Sequence, residues 1–189
     1  VTAMYPLFAV PAFLSTDQVW SFDLLVSDGA LTSATDTTKV VAVVQTQNIA
    51  RLATVAASSE SLSLGQPAAS AVDGIIGGYP EINQPEWRSN SERVGAWMRL
   101  TWPQPVVIDR VRLYDRPNLT DRIAAAALNF SDGSTVSVGA LDNDARTGTE
   151  VSFAPRTVTS ATVLVTGVSG STSAVGLAEF QAFGRLASG

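Results

Sequence analysis

The chain has 189 residues, 46% of them hydrophobic and 15% charged, with a net charge of −5 at pH 7. That balance excludes wholesale disorder, which needs low hydrophobicity and high net charge, and no apolar run approaches the ~20 residues that cross a bilayer as a helix. With neither His nor Cys, the sequence offers no Ser-His-Asp relay, no thiol nucleophile and no zinc site of imidazole or thiolate, so any metal must be a hard cation held by oxygen. The acidic balance leaves no basic stripe for phosphates and argues against a nucleic-acid partner. Eleven of the twelve basic residues are Arg and one, Lys39, is Lys, a usage expected of a high-GC bacterial genome. Val1 opens the sequence without a start Met or a charged and apolar leader, so it reads as a piece of a larger protein.

In chain order, Trp20, Phe22, Leu24 and Val26 alternate with polar residues and predict a strand. Ser27-Asp28-Gly29 then predicts a hairpin turn, and Thr37 to Val44 the returning strand. The short polar stretch from Gln45 to Asn48 reads as a linker, with a boundary near residue 46 that divides the chain into 1–45 and 46–189. Eight further strands are expected near Ala50–Ala57, Ala96–Trp102, Val106–Asp115, Ile123–Phe130, Thr135–Val138, Glu150–Phe153, Thr159–Thr166 and Val175–Phe183. Ala124 to Ala127 has helix propensity but is short and leads into a second turn, Ser131-Asp132-Gly133, which favours strand. Pro103 is expected to end the strand at Trp102. The irregular, Gly- and Pro-punctuated stretch from Ser58 to Glu92 is long for a passive connector, and long ordered loops usually carry function. Trp97, Leu100, Val111, Leu113, Phe130, Val163, Val165 and Phe180 read as core.

From Asn48 to Gly184 the order of several strings resembles the discoidin, or coagulation factor V/VIII C-type, modules of the galactose-binding-like superfamily. These strings are Asn48-Ile49-Ala50, Ala71-Val72-Asp73-Gly74, Glu86-Trp87-Arg88-Ser89, Leu113-Tyr114-Asp115-Arg116-Pro117-Asn118, Phe130-Ser131-Asp132-Gly133-Ser134 and Val175-Gly176-Leu177-Ala178-Glu179-Phe180. The resemblance implies an all-β, jelly-roll β-sandwich. It extends to a bacterial subset often appended to secreted PIG-L-type N-acetylglucosaminyl deacetylases. Residues 1–45 resemble the last strands of an immunoglobulin-like or PKD-like domain, so the second sheet of that sandwich is expected from upstream domains, from a second chain, or by docking on the module.

The resemblance places Asp73 and Glu179 together at a structural calcium, with carbonyl donors among Ala71, Ile76 and Gly78. Calcium takes six to eight oxygens, which suits this oxygen-only chain. Arg116, Asn118 and Asp121 follow the Tyr114 strand in the loop where sugar-binding relatives present Arg. A guanidinium fork can donate to vicinal hydroxyls, and Tyr79 and Trp87 offer flat faces for the sugar's C–H side. On that reading Arg116 grips ligand and adds little to stability. The alternatives are that Asp115-Arg116 and Asp121-Arg122 are surface pairs and that Trp87 is core. Asp115 with Asp121, or Glu81 with Glu86, could be imagined as a glycosidase pair, but neither sits in a recognisable motif. The expected function is a non-catalytic, calcium-stiffened module that targets a secreted or cell-surface bacterial enzyme to glycan. The alternative is a structural or protein-interaction module of a surface protein without sugar affinity.

Overall fold

The computed structural model describes residues 18–42, 46–78, 86–144 and 146–187. The chain divides into two compact units, Val1–Gln45 with Ser188–Gly189, and Thr46–Ala187.

In the first unit, β1 (Gln18–Leu24) and β2 (Asp36–Ala42) pair antiparallel, with Trp20 opposite Val40 and Phe22 opposite Thr38. The expected turn residues lie at the tip of the connection, beyond the strands. Gly29 takes a left-handed φ of +94°, and the Asp28 carboxylate accepts the N–H groups of Ala30 and Leu31. Val26 therefore falls outside β1, and Val43 and Val44 of the expected return strand lie outside the described residues. The described part of this unit is a two-stranded sheet and does not by itself display an immunoglobulin-like sandwich.

The second unit is an antiparallel sheet of eight strands. They are β3 (Gln47–Asn48), β4 (Thr54–Ala57), β5 (Trp87–Arg88), β6 (Trp97–Asp115), β7 (Ile123–Phe130), β8 (Thr135–Val138), β9 (Thr149–Val168) and β10 (Gly176–Leu186). The main order is β3-β10-β6-β9-β7-β8, with β4 added to β6 and β5 to β10. Two expected pairs of strands are in fact single long ones, β6 and β9. Pro103 does not end its strand, because it lies where the β6 and β9 register shifts between Thr101 and Val106, and Pro155 lies at the next shift. An irregular step in the ladder tolerates a residue without an N–H. Ala50–Leu52 forms a 3-10 turn instead of the start of a strand. Ala124–Ala127 is strand, and Ser131-Asp132-Gly133 closes the β7–β8 hairpin as expected.

Side chains alternate across a strand, so Met98, Leu100 and Trp102 point into the core while Trp97 does not. Trp97 is half-buried, with the Arg99 guanidinium 5.4 Å from its ring centroid. The other expected core residues are buried. Two buried indoles tie the irregular segments to the sheet: Trp102 Nε1 donates to the Ile49 carbonyl and Trp87 Nε1 to the Ser59 carbonyl, each at 2.9 Å.

Gly184 lies at a register shift between β10 and β6, where a Cβ would fall 2.2 Å from the Val107 carbonyl oxygen. At Gly139 a Cβ would meet nothing within 4 Å. Gly184→Ala is expected to destabilise by about 1–3 kcal/mol, the cost of overpacking, and Gly139→Ala to stay within about 0.5 kcal/mol of the parent. Urea midpoints of the two variants check this, and equal midpoints would mean that β6 and β10 separate without cost.

Candidate functional site

Where β6 ends, Asp115 and Arg116 turn inward instead of out to solvent. Arg116 is 3% exposed. Its Nε and Nη2 each lie 3.0 Å from Glu86 Oε1, and its Nη1 lies 3.1 Å from Asp121 Oδ2 and 3.4 Å from the Ala174 carbonyl. Glu86 is fully buried and also accepts from Gln66 Nε2. Asn118 shapes the loop locally, because its Oδ1 accepts the N–H groups of Thr120 and Asp121 and so folds Asp121 back beneath Arg116. Its Nδ2 then donates to Asp121, as does the Ser173 N–H. Backbone bonds complete the bundle of loops: Ser89 N–H to Val175, Val175 N–H to Glu92, and Asn90 N–H to Ser59 Oγ.

Asp115 and Asp121, on either side of Arg116 in sequence, titrate apart. Burial pushes Asp115 up to about 7, against the N–H groups of Ile123 and Arg116 and the charges of Arg116 and Arg122. Burial would also raise Asp121, but the Ser173 N–H, the Asn118 amide and Arg116 outweigh it and hold this carboxyl below its ordinary value.

The acidic pair lies elsewhere in the unit. Asp73 ends the 3-10 turn Ala68–Val72, and Gly74 follows with φ +81°. The Gly74 N–H donates to Glu179 Oε2 at 3.2 Å, and the Ile75 N–H to Asp73 Oδ1 at 2.7 Å. Glu179, on β10, is fully buried and its Oε1 has no hydrogen-bond partner. Burial pushes Glu179 up to about 8; the Gly74 N–H opposes the shift, Asp73 adds to it and the charge of Arg51 also opposes it. Among the described residues no three His, Cys, Asp or Glu side chains gather as a metal site. A cation here would rest on two carboxylates and backbone carbonyls. A buried acid with an orphaned oxygen beside a second carboxylate fits a hard divalent ion on those terms.

The expected site residues are thus sorted. Arg116, Asn118 and Asp121 do come together, but they bind one another, and the solvent-facing fork expected of Arg116 is absent because Glu86 draws it inward. Trp87 is fully buried and presents no face to a ligand; its alternation in β5 sends it to the core. Tyr79 and Glu81 lie outside the described residues. Of the carbonyl donors, Ala71 is buried in the 3-10 turn and Ile76 is exposed, while Gly78 packs against Glu86 and Pro117. Gln66 and Ser173 were not expected at the site, and Glu86, weighed only as half of a carboxylate pair with Glu81, is instead the buried partner of Arg116. Nothing local marks them, since their partners lie 20 to 52 positions away.

Arg116→Ala strands two buried carboxylates and is expected to cost about 3–5 kcal/mol, the range for breaking a buried pair from one side; a urea midpoint like the parent's would show that water replaces the guanidinium. The pH dependence follows from Asp115 and Glu179, whose folded pKa values of about 7 and about 8 exceed the unfolded ones. The folded state then holds more protons, so this contribution is complete below the unfolded pKa values and is lost as pH rises through 7 to 8. In chelator, the chain should melt at a higher temperature at pH 5.5 than at pH 8.5, and Glu179→Gln should narrow the gap.

No curated protein matches the chain. Solved structures do. A family 32 carbohydrate-binding module of C. perfringens NanJ, in complex with galactose, is 17% identical over 74% of this chain and 99% of that one, with a TM-score of 0.58. A fucolectin from striped bass (Morone saxatilis) serum is 17% identical over 75% of this chain and 50% of that one, with a TM-score of 0.63. A chitosan-binding module from a Paenibacillus sp. IK-5 chitosanase/glucanase is 21% identical over 72% of this chain and 98% of that one, with a TM-score of 0.55. At such identities the likeness shows the fold alone: the chain shares the all-β fold of these domains. Residues 48–183 match the family described as a domain of unknown function, DUF7402, and the chain belongs to that family.

Proposed function

We propose that the Thr46–Ala187 unit is a non-catalytic carbohydrate-binding module, stiffened by calcium, that carries a secreted or surface bacterial enzyme to its glycan. The observation that supports this most is the rim built around Arg116, where loops from four parts of the chain are fastened by buried charge. A rim fixed in advance loses little entropy when a sugar binds. Asn90, Arg93 and Thr120 are exposed polar residues on these loops, suited to hydroxyls. Val94 and Leu119, the latter 89% exposed, are suited to the C–H face of a ring. Arg116, Asn118 and Asp121 act as positioning residues. The fold's likeness to sugar-binding modules points the same way. A tethered module raises an enzyme's effective concentration at a polysaccharide and leaves the chemistry alone.

Asp73 and Glu179, with carbonyls from Ala71, Ile76 or Gly78, would hold the calcium. Its positive charge would let the buried Glu179 ionise and would fix the Asp73–Gly74 turn against β10.

A glycan array probed with the full chain tests the reading. Binding to a defined sugar class is expected, and Arg93→Ala should weaken it by about 1.5–3 kcal/mol, the range for a hydrogen bond to a charged group, without lowering the melting temperature. An array without a hit on folded, calcium-loaded protein would favour a structural or protein-interaction module. Chelator should lower the melting temperature, and Asp73→Asn should remove the response to added calcium; identical curves with and without chelator would refute the metal.

A further inference from the structure

The Asp73–Glu179 pair has a cationic neighbour that belongs to no ion pair among the described residues. Arg51 sits on the 3-10 turn Ala50–Leu52, and its side chain is exposed to solvent. Its guanidinium nevertheless lies down on Gly74, where a Cβ would fall 2.1 Å from Nη2 and 2.7 Å from Cζ. Gly74 is the residue whose N–H reaches Glu179, and it directly follows Asp73. Cation, turn and both carboxylates therefore converge on one residue, whose φ of +81° favours glycine and over which the guanidinium lies. An exposed Arg with water available gains little from covering a glycine. It gains more from the negative potential of Asp73, beside Glu179, whose buried Oε1 has no hydrogen-bond partner.

We propose that Arg51 is a tethered counter-ion for Asp73 and Glu179, holding the pair when metal is absent and competing with calcium for it. The inference rests on the calcium reading above and adds what sets the affinity. The guanidinium on Gly74 sets a positive charge beside Asp73 and beside the N–H that reaches Glu179, which favours the folded, metal-free chain. Once a divalent ion enters, that charge becomes a repulsion. A unit charge within ~8 Å of a divalent one, at an effective dielectric between those of protein and water, weakens binding about tenfold.

The test uses the full chain as parent, Arg51→Gln and Arg51→Lys, with calcium titrated calorimetrically and melting followed in chelator. Arg51→Gln should bind calcium about tenfold more tightly and melt at a lower temperature in chelator, while Arg51→Lys, which keeps the charge, should stay near the parent in both. Calcium binding by Arg51→Gln but not by the parent would also support the proposal, as a counter-ion too strong for the metal to displace. Equal affinities and equal chelated melting temperatures in all three, with Asp73→Asn abolishing binding, would overturn the role of Arg51 and leave the calcium site standing. Absence of calcium binding in every form would overturn both.

Discussion

A guanidinium taken out of water must find carboxylates, and this requirement organises one whole end of the second unit. Arg116 takes Glu86 from before β5, Asp121 from after β6 and a carbonyl from the loop before β10. Segments that no sequence proximity joins become obligate neighbours, because leaving any of these charges buried and alone costs more than any surface contact could return. Trp87, next to Glu86 in sequence, is buried as well, and its Nε1 fastens the same segment to the Ser59 carbonyl.

The two buried acidic sites differ in how completely the chain satisfies them. Around Arg116, Asp115 takes two backbone N–H groups and Asp121 takes a backbone N–H, an amide and the guanidinium, while the buried Gln66 Oε1 has no hydrogen-bond partner. Burial raises Asp115 toward neutrality, whereas the Ser173 N–H, the Asn118 amide and Arg116 keep Asp121 ionised. Glu179 has a single N–H, at 3.2 Å, and one oxygen with nothing. A site that answers its own charge is structural. A site that does not is where an ion from outside has the most to offer.

Much of the fold was legible because period-2 alternation is a local signal. It located β7, β8 and β10, and it read Ala124–Ala127 as strand against helix propensity. It also contained the correction to its own core assignment, since Trp97 and Leu100 stand three apart and cannot share a face of one strand. Pro103 misled because a proline's effect depends on the ladder opposite it, and the shift that excuses it is a property of the β6–β9 pair. The site was legible as a set of residues and not as a set of roles. The string from Tyr114 to Asn118 marked the right loop, but whether Arg116 faces water or protein is decided by Glu86, 30 residues earlier, and no spacing rule connects them. Arg51 was invisible for the same reason: its meaning comes from Gly74, which it reaches across the fold.

The division of labour within the rim bears on what kind of ligand it could read. Asn118, Thr120 and Asp121 are bonded to one another, which leaves Leu119 between them with no freedom to turn its side chain inward; its 89% exposure is imposed by the turn. In the neighbouring loop Ser89 and Glu92 are bonded inward, and Asn90, Arg93 and Val94 are left outside. The network thus fixes the backbone and leaves a small set of side chains uncommitted, polar and apolar side by side. Those free positions can change without disturbing Arg116, while a change at Arg116 disturbs all of them. On the proposed reading, affinity for a sugar would rest on Asn90, Arg93 and Leu119, and the rim that presents them rests on Arg116.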